Sequence, residues 1–207
     1  ICFLQIIFLN DCFAIVGDGL SMKKYLWLGL CIAAVAQTHA SGNSADYNIA
    51  NGLSPVAKDQ SISVLQPFNG DFRILGSKVY QDDEQAKFSP IDYAVSWGMF
   101  AHPEIARKIS VNQYDRFLNW KIDRLPVPAN QAMQMVSNMH IIPANPQIAQ
   151  QIKQVKRGDL VQLKGDLVEI RDKNLVWKSS LTPTDTGDGA CELFRVNSIQ
   201  WIEKQKI

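Results

Sequence analysis

Histidine and cysteine are scarce in this chain of 207 residues, and their scarcity limits its chemistry. The chain has three histidines and four cysteines, of which only His102, His140 and Cys191 follow residue 40. None of these has the H-x-x-x-H or C-x-x-C spacing of zinc ligands, so we expect neither a metal site nor a cofactor. A single cysteine beyond residue 40 also excludes an intramolecular disulfide within residues 41–207.

A strong charge of either sign is also lacking. The chain carries 21 basic and 20 acidic side chains, a net charge of +1. Leaving out Lys23, Lys24, Asp11 and Asp18 leaves 19 basic and 18 acidic side chains in residues 41–207. This balance gives no long-range field that would attract a polyanion, so we expect no nucleic-acid partner.

No apolar run reaches the roughly 20 residues that a membrane-spanning helix needs. The apolar segment Tyr25–Ala36 follows the basic start Met22–Lys24 and precedes the small residue Ala40. Because this is the layout of a secretory signal peptide, we predict one over residues 22–40. Cleavage near Ala40 would make the protein periplasmic or secreted. The alternative is an uncleaved segment, which would be the only contact with a membrane.

Residues 1–21 contain no methionine. We therefore interpret them as an over-extended reading frame and exclude them from fold reasoning. Cys31 raises the alternative of a lipoprotein, but Leu30 stands where a lipid-attachment box has a small residue. Residues 41–60, rich in Ser, Asn, Gly and Ala, are interpreted as a flexible leader. Residues 61–207 are long enough for one globular domain with a substantial core.

Short apolar segments dominate this domain. Strand composition or alternation predicts strands over residues 72–80, 109–113, 118–122, 160–163, 167–170, 175–178, 191–196 and 199–202. A turn is expected near Tyr114 and Asp115, and another at residues 172–174. Gly165 lies between two apolar segments, and we predict that it marks a bend or bulge in one long strand.

Helix signals are fewer. Ser89 and Pro90 are predicted to be the N-cap and the first position of a short helix, and Gly98 is predicted to end it. Another turn of helix is predicted over residues 102–108. After Pro128, the apolar residues, which include Val136 and Met139, follow a helical period and predict a further helix. Asn145 caps a further helix, which Gly158 stops.

The fold class that follows is mainly β with two or three short helices. Five or six short strands with one or two intervening helices are typical of a small partly open β-barrel of the OB type, which binds oligonucleotides or oligosaccharides. The alternative is an open α+β sheet.

Four sequence blocks carry a family resemblance. They are Ser89-Pro-Ile-Asp92 with Trp97-Gly98, Asn138-Met-His-Ile-Ile-Pro-Ala-Asn145, Arg157-Gly-Asp-Leu-Val-Gln-Leu-Lys-Gly165 and Asp185-Thr-Gly-Asp-Gly-Ala-Cys-Glu192. In this order, the blocks resemble a family of uncharacterised exported proteobacterial proteins, and the resemblance spans residues 72–202. It implies an intact domain and an envelope location. It implies no activity, substrate or catalytic residue.

A thiol site is one hypothesis. Cys191 becomes a nucleophile if a neighbour such as His140 lowers its pKa, and Asp185 could orient that histidine. The alternative is a structural pair, since cysteine is among the most buried residue types.

The loop 182–189 is the candidate ligand-binding rim. Thr184, Asp185 and Asp188 supply hydrogen-bonding side chains there, and Trp177 lies on the strand before it. A calcium loop and a plain turn are the alternatives. The other tryptophans beyond residue 40, Trp97, Trp120 and Trp201, either line a carbohydrate groove or belong to the core.

The function predicted from these residues is a non-catalytic envelope domain that binds an unidentified ligand or protein. The alternative is a thiol-dependent hydrolase or transferase that uses Cys191 and His140. The sequence leaves open whether the protein is an enzyme and favours the binding function.

Overall fold

The structure, a computed structural model, describes residues 4–6, 60–182 and 191–205. Nine strands and three short α-helices lie in these ranges. The strands are β1 Leu4–Ile6, β2 Gln60–Val79, β3 Ile91–Ser96, β4 Ser110–Tyr114, β5 Phe117–Lys121, β6 Val136–Pro143, β7 Leu160–Asp172, β8 Leu175–Lys178 and β9 Glu192–Glu203. The helices are α1 Pro103–Ala106, α2 Ala129–Ala132 and α3 Pro146–Gln151.

Six of the strands form one mixed sheet whose pairings close on themselves. The order is β2-β3-β6-β9-β7-β8, and β2 also pairs with β7. The long strand β2 serves two neighbours, since residues 60–73 lie beside β7 and residues 73–79 beside β3. Register shifts at residues 64–66 and 74–76 allow it to curve between them. The result is a partly open, OB-like β-barrel that is not regular, which confirms the predicted fold class.

The barrel interior is apolar and carries most of the core. Large aliphatic and aromatic side chains from all five strands of the ring meet there, each contributing about 1.5–3 kcal/mol when fully buried. They include Phe72, Ile74, Ile91, Tyr93, Val95, Met139, Ile141, Val161, Leu163, Leu167, Phe194 and Val196. Helix α3 packs on the same cluster through Ile148, and the Tyr93 hydroxyl donates to the carbonyl of Ile152 at 2.5 Å.

The hairpin of β4 and β5 packs on the side of β3 and β6 that faces away from the barrel interior. Leu118 and Trp120 of the hairpin share an apolar cluster with Ala94 of β3 and Val136 of β6. The two strands and their turn are those that the sequence predicts. Strand β1 lies parallel to β5 and extends this small sheet to three strands.

Gly165 has the role that the sequence predicts. The pairing of β7 with β9 shifts register between Lys164 and Gly165, which is a bulge within one continuous strand. A Cβ atom at this position would lie 1.9 Å from the carbonyl oxygen of Arg195. Only glycine therefore allows the two backbones to approach this closely.

Helix α3 is also confirmed. Asn145 is its N-cap, with a side-chain oxygen that accepts from the backbone N–H of Ile148 at 2.9 Å, and Pro146 takes the first position. The helix continues as a 3₁₀ turn to Gln154, so it ends before Gly158. The predicted turn of helix after His102 is α1, with His102 as its N-cap.

Two helix predictions are wrong. Ser89 and Pro90 precede strand β3, not a helix, and Gly98 begins a 3₁₀ turn where the sequence suggested an ending. The stripe with Val136 and Met139 is helical only before Val136, where β6 begins. Both segments are central strands that are buried throughout, so their apolar residues do not alternate and mimic a helical period.

Candidate functional site

The outer face of β3 and β6, turned away from the barrel interior, carries a group of buried polar side chains beside its apolar residues Ala94 and Val136. Asp92 and Ser96 of β3 and Asn138 and His140 of β6 occupy this face, and each is at most 2 % exposed. The strand register places Asp92 directly beside His140. Because an ionised carboxylate at this depth requires charged or hydrogen-bonding partners, the residues that cover this face define its chemistry.

Arg116 supplies the main partner from the tip of the β4–β5 hairpin. Its guanidinium donates to an Asp92 carboxylate oxygen at 2.8 Å and to both carboxylate oxygens of Asp83 at 2.7 and 2.9 Å. Asp115 and Arg116 have positive φ angles of 45° and 68°, the conformation of a two-residue hairpin turn. This turn aims the side chain back at the barrel, where it is buried.

Two amides complete the network around Asp92. Asn138 donates to the second carboxylate oxygen of Asp92 and to the carbonyl of Arg116, both at 3.2 Å. The Asn138 carbonyl oxygen in turn accepts from Gln113 at 2.8 Å. These bonds connect β6, β3 and the hairpin, so the hairpin is fixed on the outer face by hydrogen bonds as well as by apolar contacts.

His140 extends the network towards the surface. Its Nδ1 lies 2.9 Å from an Asp92 oxygen, an ion-pair distance without the angle of a directed hydrogen bond. The imidazole ring is 4.8 Å from the Trp177 ring, centroid to centroid, with the planes tilted by 49°. Trp177 on β8 therefore packs over the end of the buried polar face.

Two aromatic rings flank the guanidinium of Arg116. It lies 3.8 Å from the centroid of the Tyr80 ring and 5.9 Å from that of Trp177. The Tyr80 hydroxyl accepts from the backbone N–H of Arg116 at 3.2 Å. Burial, followed by the nearby Asp92 charge, raises the pKa of Tyr80 to about 12. The phenol is therefore neutral at any physiological pH.

Above this network is a cavity of about 660 Å³, which we call the polar cleft. Among the described residues, four segments line it: the end of β2 with the following loop, the hairpin tip, β6, and β8 with Cys191. The side chains that line it include Lys78, Tyr80, Gln81, Asp82, Asp83, Tyr114, Asp115, Arg116, His140, Trp177 and Lys178. Its volume lies in the range of about 300–1,000 Å³ that is typical of ligand sites.

The structure brings three of the predicted site residues together. His140, Trp177 and Cys191 all line the polar cleft. Cys191 is disulfide-bonded, so it presents no thiolate in this state. Thr184, Asp185 and Asp188 lie outside the described residues.

Sequence reasoning missed the residues that organise the cleft: Asp92, Arg116, Tyr80 and Asp83. The one available signal was Asp92, a charge within the otherwise apolar segment Ile91–Val95. Arg116 gave no such signal, because its position after a turn is typical of a solvated cation.

Other candidate sites are weaker. Trp120 is buried in the hairpin cluster, and Trp97 and Trp201 are half-buried against the barrel core, so these three belong to the core. A second cavity of about 330 Å³ is mostly apolar and has Leu181 and Thr182 at its edge. Within residues 60–182 and 191–205, no group of three or more potential ligands could hold a metal ion.

Among the described residues, no helix has the length and hydropathy to cross a membrane. Comparison with protein-family models and with curated proteins finds no match for this chain.

Proposed function

We propose that this protein is a non-catalytic binding domain and that the polar cleft takes a small polar ligand. The observation that carries the proposal is the organisation of the cleft. Arg116 ties together the loop after β2, the strand β3 and the hairpin through Asp83 and Asp92. A cleft whose walls are fixed before the ligand arrives loses little conformational entropy on binding.

The position of the cleft supports the same proposal. In OB-like barrels, ligands bind on the face of the second and third strands and on the loops beside it. In this chain those strands are β3 and β6, and the hairpin covers much of their outer face. The polar cleft is the part of this face that the hairpin leaves accessible, at the end where His140 and Trp177 lie.

The proposal is tested with protein purified from the bacterial envelope and a mixture of polar fragments, namely free amino acids, monosaccharides, dicarboxylates and amines. Binding is followed by the NMR signals of the Trp177 indole N–H and the Arg116 guanidinium. We expect at least one compound to shift both signals and to lose at least tenfold in affinity in Trp177→Ala. The matched control is Val176→Ala, on the same strand but outside the cleft lining. If no compound shifts the signals of Trp177 and Arg116, the proposal is refuted.

We also propose that the chain is exported, with residues 22–40 as a cleaved signal peptide and a periplasmic or secreted location. The basic, apolar and small-residue order and the resemblance to exported proteobacterial proteins support this. N-terminal sequencing of the protein from a periplasmic fraction is expected to start near Ser41. Retention of the full chain in the cytoplasm would contradict export.

A second candidate, the thiol-dependent hydrolase or transferase, has one supporting observation, which is that Cys191 and His140 line the same cavity. It requires the reduced form of Cys191. Native protein kept under mild reductant would then be alkylated at Cys191 faster than a model thiol peptide, and Cys191→Ser would abolish this labelling. Labelling only after denaturation would eliminate the thiol candidate and leave the binding proposal standing.

A further inference from the structure

We infer that the ligand of the polar cleft is an uncharged oligosaccharide. This inference rests on the proposed function and specifies the chemical class of the ligand. It draws on three properties of the lining: its balanced charge, its aromatic surface and its mixture of hydrogen-bond donors and acceptors.

The charge of the lining argues against an ionic ligand. Among the lining residues that the structure describes, there are three cations, Lys78, Arg116 and Lys178, and three carboxylates, Asp82, Asp83 and Asp115, which gives a formal sum of zero. The most buried of the cations, Arg116, is already neutralised by carboxylates at 2.7 and 2.8 Å. A phosphate or a carboxylate bound at Arg116 would have to break these buried ion pairs, and an organic cation bound there would meet the guanidinium, so an uncharged ligand avoids both costs.

The aromatic surface suits the apolar faces of sugar rings. Trp177 and Tyr80 are half-buried in the cleft wall, and Tyr114 at the hairpin is 42 % exposed. Contacts with His140 and Arg116 hold Trp177 and Tyr80 in place. A rigid amphipathic ring offers a large contact area at little entropic cost, and the C–H faces of a pyranose can stack against it.

The polar side chains of the cleft suit hydroxyl groups. Gln81, Asp82 and Lys178 are exposed at the cleft and supply an amide, a carboxylate and an ammonium group. Each sugar hydroxyl both donates and accepts a hydrogen bond, so it needs donors and acceptors together. A lining of one charge sign would satisfy only half of that requirement.

The test uses four probes of equal length with the protein purified from the bacterial envelope. Two are uncharged, the hexamers of β-1,4-linked glucose and of β-1,4-linked N-acetylglucosamine. Two are anionic, a hexamer of galacturonic acid and a hexamer of thymidylate. Binding is measured by calorimetry, and its place by the NMR signal of the Trp177 indole N–H.

We expect an uncharged hexamer to bind at least tenfold more tightly than either anionic hexamer and to shift the Trp177 signal. Affinity should change less than about twofold between low and high salt, because no ion pair forms with the ligand. Trp177→Ala should weaken binding at least tenfold, while Trp177→Phe, which keeps a ring, should weaken it only a few-fold. Val176→Ala should leave it unchanged, and circular dichroism checks that each variant is folded.

The other outcomes are decisive as well. Preferential, salt-sensitive binding of the galacturonate or thymidylate hexamer at Trp177 would overturn the saccharide class and leave the proposed binding function intact. Failure of all four probes overturns the inference also, and the proposed function then falls only if the fragment mixture fails too. If an uncharged hexamer binds Trp177→Ala with unchanged affinity, its site lies outside the polar cleft, and the inference is overturned.

Discussion

Strands β3 and β6 bury an apolar group of side chains on one face and a polar group on the other. On the interior face, Tyr93, Val95, Met139 and Ile141 pack in an apolar core that excludes water. On the outer face, Asp92 and its polar neighbours are also buried, but ion pairs and hydrogen bonds surround them. The hydrophobic contacts of the interior face do not depend on direction. The ion pairs and hydrogen bonds of the polar group do, so this group stabilises the fold only while each partner is in place.

This difference explains why the outer face is the better candidate for function. An apolar interior tolerates substitution by apolar residues of similar volume with little loss of stability, so its side chains say little about function. A buried charged network costs free energy to desolvate and is weak support for stability by itself. In this protein the network fixes the hairpin over β3 and β6 and sets the walls of the polar cleft.

The largest expected effect is that of Arg116→Ala, which leaves the buried carboxylate of Asp92 without its ion pair. We expect the free energy of unfolding to fall by about 3–5 kcal/mol, measured by urea denaturation. The matched control is Arg107→Ala, whose guanidinium pairs with Glu104 on the exposed helix α1. Loss of that exposed pair should lower the free energy of unfolding by less than about 1 kcal/mol. Equal losses of stability in the two variants would contradict the expectation that the buried network contributes more to stability than an exposed ion pair.

Asn138→Ala should have the next largest effect. It removes the amide that donates to Asp92 and accepts from Gln113, so buried polar groups lose their partners. We expect a loss of about 2 kcal/mol in the free energy of unfolding. A loss below about 0.5 kcal/mol would mean that water replaces the amide and that the outer face is less dry than its burial suggests.

Tyr80 tests the outer face at alkaline pH. Its pKa in the folded protein is about 12, above the ordinary value of 10.0, with burial as the main cause. The contribution of the protonated phenol to stability is therefore complete below pH 10 and is lost as the pH rises towards 12. Tyr80→Phe should remove this part of the pH dependence. An unchanged alkaline unfolding profile in this variant would show that Tyr80 titrates normally.

The smallest effect is expected on the interior face. Ile141→Val removes one methylene from the barrel core, and we expect a loss of about 1 kcal/mol in the free energy of unfolding. The polar cleft should keep its NMR signals, because Ile141 faces away from it. Shifts at Trp177 or Arg116 in this variant would show that the two faces of β3 and β6 are coupled.

Local signals in the sequence were enough where the physical cause is local. Asn145 and Pro146 start helix α3 because a cap and a fixed φ act within one turn. Gly165 between two apolar segments correctly predicted the bulge in β7. The turn at Asp115 and the mainly β, partly open barrel were likewise predictable from alternation and turn residues.

The sequence failed where neighbours in space decide the structure. Strands β3 and β6 were read as helices because central strands covered on both faces lose the alternation that marks a strand. His140 and Trp177 were named from their residue types, and the structure brings them into one cleft. Arg116, the residue that joins that cleft together, was not found.

The sequence by itself determined the apolar and polar order of the segments, the cap of helix α3, the hairpin turn and the bulge, since each depends on residues a few positions apart. Only the tertiary structure decided that Asp83, Asp92 and Arg116 meet. They are brought together by a loop, a central strand and an inserted hairpin. Separations of 24 and 33 positions along the chain are closed by sheet pairing and hairpin packing, which no local pattern encodes.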